Sequence, residues 1–439
     1  MASNRYDAVD KMITKLSHRG IAGKKIIVNQ NYTIGICWNN CEQKKVISDL
    51  NNNIFSDCGD HFRKAEVSLT DGKIALSRDH LGIAPLYFGK TFDDELCFAS
   101  EVKALSGFTR NIESLPPGNV FDGNNYHQFF HLEKKDSINE EPEVIAKNIY
   151  NRLEESISTS IKTNTIGSWL SGGLDSSTIS AIARQYVDRF HTFAAGIKNA
   201  PDFEFAAAVA KHIKSDHHEI IVSLNDMVKI LPKVIYHLEN FDALLVRSSI
   251  INYLAAKEAS NYIDEVFSGE VGDELFAGYE YLKSIPEGSL DDELIDITGS
   301  LHNTALQRVD RCSAAHGILP HVPFADPGVF EYALQIPVKY KLKNGVEKWI
   351  LRKAIEKYLP EKVLTRPKAK FWEGGGVGEL LAQYASKEIS DKDFKNESVL
   401  PNGWCLNSKE ELLYYRIFKD FFGDLSNLDW MGRTKTFHS

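Results

Sequence analysis

Ser171-Gly172-Gly173-Leu174-Asp175-Ser176-Ser177 combines small residues, three hydroxyls and a carboxylate in seven positions. Small residues let backbone N–H groups approach an anion, and a helix N-terminus adds favourable partial charge. The hydroxyls of Ser171, Ser176 and Ser177 are further donors. Asp175 would repel a bare phosphate, so it argues for a bridging cation, most simply magnesium. The chemistry is that of a polyphosphate cradle; the bland alternative is a capped loop that binds nothing. A second cluster, Ser268-Gly269-Glu270-Val271-Gly272-Asp273-Glu274, puts three carboxylates on one short turn. Such crowding is costly unless a cation or a proton offsets it. Its alternative is a solvated acidic turn with a helix cap.

The elements that must position these clusters surround them. Ile166 to Leu170 reads as a buried strand, and Ile179, Ile182, Ala183, Tyr186 and Val187 follow at helical spacing. The cradle therefore sits on a strand-to-helix turn. Further strands are expected at His191 to Ile197, His218 to Val222 and Asp264 to Phe267, the last completing the series. Helices are expected at Ile145 to Ile161, near Phe203 to Ile213, and from about Asp226 with an interruption at Pro232. This alternation predicts an α/β fold with a doubly wound parallel sheet and a nucleotide at the carboxyl ends of its strands. Residues 1 to about 130 instead hold short alternating runs: Lys25 to Val28, Thr33 to Cys37, Lys73 to Leu76, Leu86 to Phe88 and Leu96 to Phe98. They predict a mostly β region. Leu132 to Glu143 is polar and reads as a linker. The expected division is 1–130, a linker at 131–144, and 145–439.

Composition narrows the class. A hydrophobic content of 43% supports sizeable cores, and 439 residues allow two or three domains. A net charge of -9 gives no reason to expect a nucleic-acid or anionic-membrane partner. No run is apolar enough to span a bilayer, and Met1 to Asp7 has no signal-peptide pattern, so a cytoplasmic enzyme is expected. Cys37, Cys41 and Cys58 lack a nearby fourth ligand, which favours ordinary reduced thiols over zinc.

The Ser171–Ser177 loop resembles the pyrophosphate loop of the ATP pyrophosphatase superfamily. It lacks the Lys of the G-x-x-x-x-G-K-[ST] pattern, so cleavage between β- and γ-phosphates is not implied. The chain from about 145 to 432 resembles the asparagine synthetase family. The resemblance rests on both loops and on His191–Gly196, Asp216-His217-His218-Glu219 and Val234–Asp242. It extends through Val246-Arg247-Ser248-Ser249, Arg308–Arg311, Val322–Asp326, Glu347–Arg352, Arg366-Pro367-Lys368, and Lys409–Glu411 with Tyr414–Phe418 and Trp430-Met431. It implies ATP and magnesium as cofactors. Pyrophosphate would lie on Ser171, Gly172, Gly173, Asp175, Ser176 and Ser177, with Asp175 and Asp273 on the metal. Leu170, Ala195, Ser268 and Gly269 would border the nucleotide. Lys368 would neutralise charge at the α-phosphate, and Glu270 would steer or deprotonate the attacking amine. Arg247 and Asp326 are candidates for the substrate, with a structural salt bridge as the alternative for Arg247.

The N-terminal part resembles the same family in damaged form. His18-Arg19-Gly20, Arg78–Tyr87, Phe98–Leu105 and Leu115–Gly118 carry the likeness to its N-terminal nucleophile (Ntn) glutaminase sandwich. Residue 2 is Ala where the family has a nucleophilic Cys, and the glutamine-pocket segments are missing. Only 57 residues, 21 to 77, separate Gly20 from Arg78. A shortened sandwich that cannot release ammonia from glutamine is expected. Other departures lie near the substrate: Val271 and Gly272 within the second loop, Ala325, Trp169, and Gly374-Gly375-Gly376 after Lys368. The expected activity is amide formation from a small amino-acid-like carboxylate and ammonia or a small amine. A separate ammonia-supplying or pathway protein and a homodimer partner are compatible with it. The alternatives are an intramolecular cyclase of the β-lactam synthetase type and a non-catalytic nucleotide-binding regulator. Glu270 disfavours the first, because those cyclases carry Tyr there. Joint retention of Asp175, Glu270, Asp273 and Lys368 disfavours the second.

Overall fold

The computed structural model describes residues 2–39, 54–56, 62–70, 73–109, 111–367, 378–423, 425 and 427–435. Cys41, Cys58, Lys368 and Gly374 to Gly376 lie outside them. Strands are numbered in chain order: β1 Gly23–Val28, β2 Thr33–Trp38, β3 Ile54–Ser56, β4 Ala65–Thr70, β5 Lys73–Arg78, β6 Tyr87–Lys90, β7 Leu96–Ala99, β8 Ile112–Ser114, β9 Asn119–Phe121, β10 Tyr126–Gln128, β11 Thr165–Trp169, β12 Arg189–Gly196, β13 Asp216–Ile221, β14 Glu265–Phe267 and β15 Leu319–His321.

The sheet that carries the site is wholly parallel, in the order β13-β12-β11-β14-β15. Alternate residues of each strand feed cores on opposite faces, as a period of two demands. Ile166, Phe190 and Phe267 join one core, whereas Trp169, Phe193 and Val266 join the other. The helices Pro201–Ile213 and Ala243–Ala259 both pack against β12. The doubly wound α/β expectation holds. The expected series of strands was one short: β15 follows β14 as an edge strand. Its three residues include Pro320, which reads as a strand breaker but is tolerated at a sheet edge.

Two helical expectations need correction. The helix Leu224–Leu238 runs through Pro232 without a break. Met227, Leu231, Val234, Ile235 and Leu238 form a buried stripe, while Pro232 faces solvent. There the carbonyl it leaves without a donor can be hydrated, and burial of the stripe outweighs a Pro cost of about 3 kcal/mol. The helix expected from Ile145 already starts at Pro142, whose fixed φ suits a first turn.

The N-terminal part is β-rich, with a five-stranded antiparallel sheet in the order β10-β9-β5-β4-β3, a three-stranded sheet β7-β6-β8 and the hairpin β1-β2. It also contains a helix that the β reading overlooked, Ala2–Lys15. Val9, Met12, Ile13 and Leu16 recur at helical spacing; Val9 and Ile13 pack on β2, and Met12 and Leu16 join another core. Gly35 of β2 permits this contact, since a Cβ there would stand 2.9 Å from Val9 Cγ1.

Candidate active site

The strand order reverses at β11: β12 and β13 extend one way, and β14 and β15 lie on the other side. Open α/β sheets bind ligands at such a reversal, outside the carboxyl ends of the strands. The loops that leave β11 and β14 there are the two clusters singled out in the sequence. They touch through backbone. A Cβ on Gly269 would stand 2.7 Å from Ser176 N, and one on Gly272 would stand 2.7 Å from Asp175 Cγ. No larger residue fits at Gly269 without displacing the backbone of the other loop, and at Gly272 the Asp175 side chain would have to move.

In the first loop Gly172 adopts φ 69 and packs against the helix Pro201–Ile213, where a Cβ would lie 2.4 Å from Phe205 Cβ. Gly173 caps the helix Leu174–Ala183. Ser171 Oγ accepts from Gly173 N at 3.2 Å and lies 3.1 Å from Ser176 Oγ. The hydroxyl of the buried Ser177 has no hydrogen-bond partner among the described residues. Leu170 N–H donates to Phe193 O at 2.9 Å, and Ala195 lies on β12 beside it.

In the second loop Ser268 N–H donates to His321 O at 2.9 Å, which fixes the turn on the edge strand. Val271 has φ 76, a left-handed conformation that a β-branched residue rarely adopts. Its side chain is buried in the main core. Glu270 accepts from Arg308 Nη2 at 2.5 Å. Glu274 is buried and accepts from the Tyr279 hydroxyl; burial and then the charge of Asp273 push its carboxyl up to about 7. Asp175 and Asp273 both converge on the ammonium of Lys348, with Asp273 Oδ1 at 2.6 Å. Two hard carboxylate oxygens that reach one common atom are a fit donor pair for a divalent cation.

Arg308 and Lys348 lie in two of the segments that carry the family resemblance, but the sequence attaches no role to them. Their partners are 38 and 173 residues away in the chain, so no local spacing marks them. Lys368 lies outside the described residues, which end in this stretch at Pro367. Arg366 donates to Ser171 O at 3.1 Å and also pairs with Asp202, and Arg352 holds the carbonyls of Leu364 and Arg366. Arg247 is paired with Glu410, Nε to Oε1 at 2.9 Å, and Tyr414 donates to the same carboxylate at 2.7 Å. Asp326 caps the helix Pro327–Gln335 by accepting from Gly328 N at 2.8 Å. It lines a recess of about 140 Å³ with Arg152, Ser156 and Thr159.

A parallel sheet with both loops at its reversal point defines a doubly wound α/β protein. The family described as Asparagine synthase matches residues 148–291 and 287–436, and a Glutamine amidotransferase domain matches 52–137. The chain is 34% identical over 372 residues to asparagine synthetase B [glutamine-hydrolyzing] of Escherichia coli (strain K12), covering 79% of this chain and 67% of that one. It is 31% identical over 382 residues to asparagine synthetase [glutamine-hydrolyzing] 2 of Arabidopsis thaliana, covering 80% and 65%. Among solved structures, NMN synthetase from Francisella tularensis aligns with a TM-score of 0.31 at 12% identity, over 68% of this chain and 100% of that one. The chain belongs to the asparagine synthase family, and it spans about two thirds of the length of these curated relatives. No helix among the described residues is long and apolar enough to cross a membrane.

Proposed function

We propose that the chain is an ATP-dependent carbon–nitrogen ligase that forms an amide, AMP and pyrophosphate. A carboxylate oxygen of a small amino-acid-like substrate attacks the α-phosphorus of ATP, giving an acyl-adenylate and pyrophosphate. Ammonia or another small amine then attacks the acyl carbon and expels AMP. Catalysis of this kind rests on positioning and on charge placed where it develops. The backbone and hydroxyls of Ser171 to Ser177 hold the pyrophosphate end, and Leu170, Ala195, Ser268 and Gly269 border the nucleotide. Asp175 and Asp273 hold magnesium, which supplies charge neutralisation on the polyphosphate. Lys368, two residues beyond the anchored Arg366, neutralises the α-phosphate. Glu270 takes the proton of the amine, because ammonium itself is no nucleophile. Arg308 orients that carboxylate. Arg247 would have to leave Glu410 to bind a substrate carboxylate, and Asp326 would have to leave its capping role.

The observation that carries this reading is the meeting of the two loops: Gly269 against the Ser176 backbone, and both metal-binding carboxylates aimed at one point. We further infer that the N-terminal part, with 1–130 as its proposed extent and 131–144 as linker, does not use glutamine. The segments that would build a glutamine pocket have no counterpart between Gly20 and Arg78. The test is product analysis with magnesium-ATP across a panel of amino acids and related carboxylates, with ammonium or with glutamine. AMP and pyrophosphate should accumulate with ammonium, and no glutamate should form from glutamine. ADP and phosphate would refute the AMP-forming reading; glutamate at rates matching amide formation would refute glutamine independence.

A further inference from the structure

Lys348 stands immediately before the helix Trp349–Ile355 with φ 54, in the left-handed region. Its backbone N–H donates to Phe276 O at 3.2 Å, which ties it to the end of the second loop's helix. Its side chain is 2% exposed. The ammonium donates to Asp175 Oδ2 and lies 2.6 Å from Asp273 Oδ1, one carboxylate from each loop. Gly278 makes room for this contact: a Cβ there would stand 2.2 Å from Lys348 Cε and 2.0 Å from Asp273 Oδ1. A buried ammonium without partners is costly, and so are two adjacent buried carboxylates; the three groups offset one another. The point on which Asp175 Oδ2 and Asp273 Oδ1 converge is also the point a divalent cation held by those two oxygens would take. An ammonium and a divalent cation cannot share it, sterically or electrostatically.

We propose that Lys348 is an internal counter-cation that keeps divalent metal off Asp175 and Asp273 until a polyphosphate arrives. The incoming phosphate oxygens offer the ammonium a new anionic partner and complete the metal's oxygen ligands in the same event. Metal and polyphosphate therefore bind as a coupled pair, and metal alone binds poorly. This inference rests on the reading that Asp175 and Asp273 hold the magnesium.

Manganese(II) is a direct probe, followed by water-proton relaxation with and without α,β-methylene-ATP. On the wild-type chain the nucleotide analogue should tighten manganese binding by at least about tenfold, and manganese should tighten the analogue by the same factor. In Lys348→Met, nucleotide-free manganese binding should strengthen by about tenfold or more and the coupling should shrink. Manganese that binds the wild type equally well with and without the analogue overturns the inference; this comparison needs no variant. Unchanged manganese affinity in a folded Lys348→Met chain overturns it as well. A different result sinks the underlying metal reading instead: no manganese bound in either state, or binding that survives both Asp175→Asn and Asp273→Asn.

Discussion

At the scale of single residues, the two chemical steps are assigned to different side chains and can be separated. Lys368→Ala should abolish isotope exchange between pyrophosphate and ATP, because charge at the α-phosphate loses a partner worth several kcal/mol. Glu270→Gln should keep that exchange and slow amide formation, since Gln preserves the shape but cannot accept a proton. Exchange lost in the Glu270 variant and kept in the Lys368 variant would reverse the assignment. The residues of both loops were legible in the sequence because small and acidic residues concentrate within seven positions. Arg308 and Lys348 were not, because a paired buried cation is defined by a partner far along the chain, not by its neighbours. For Arg247, the sequence left substrate binding and a structural salt bridge open, and in the fold Glu410 already meets its guanidinium.

At the scale of elements, strands and helices with a full buried stripe were legible, and short or unusually composed ones were not. β11, β12 and β14 read clearly from apolar runs. β15 has three residues with a central proline, and nothing in that pattern separates it from a loop. The helix Ala2–Lys15 was hidden among β signals although Val9, Met12 and Ile13 carry its period. Pro232 misled in the opposite direction, since the buried stripe of its helix overrides one local penalty. A measurable consequence follows. Pro232 is exposed, so Pro232→Ala restores a backbone donor without disturbing packing and should stabilise the chain by about 1 to 3 kcal/mol. Denaturant midpoints of the two chains give the answer, and an unchanged or lowered midpoint would show that the helix relies on the proline.

At the scale of the whole molecule, the N-terminal part meets the helices Leu224–Leu238 and Ala305–Ala314 through a buried ionic seam. Glu239 accepts from the backbone of Val102 and Lys103 at 3.0 and 2.6 Å and from Arg311 at 3.1 Å. Asp310 accepts from Arg19, from Arg63 at 2.7 Å and from Arg311 at 2.9 Å. Burial opposes the charge of Asp310, but those three guanidinium groups hold its carboxyl down to about 2. His18 lies 2.9 Å from Glu101 and packs edge-on against His237 at 4.6 Å. Burial first, then the charges of His18 and Lys103, push His237 down to about 3. In the unfolded chain it titrates near 6.5, so the unfolded state takes the proton first as pH falls. The stabilising contribution of neutral His237 is full above about pH 6.5 and is lost towards pH 3. The stability of the wild type relative to His237→Asn should therefore fall by about 1.4 kcal/mol per pH unit across that window. Urea titrations at pH 7.5, 5.5 and 4.5 measure it; a constant difference would mean that His237 takes up its proton as readily in the fold as in the unfolded chain. The seam also bears on descent. Arg19, Arg63 and Lys103 are donated by one part of the chain to carboxylates rooted in the other. Deleting the donors would strand Glu239 and Asp310 as buried, poorly compensated charges, a loss of about 3 to 5 kcal/mol for each broken pair. A lineage in which the N-terminal part stopped working on glutamine could not discard it stepwise. It would persist, held by the seam and by the apolar cores that Phe62, Leu81, Ile83, Val102 and Leu105 share with the rest of the chain.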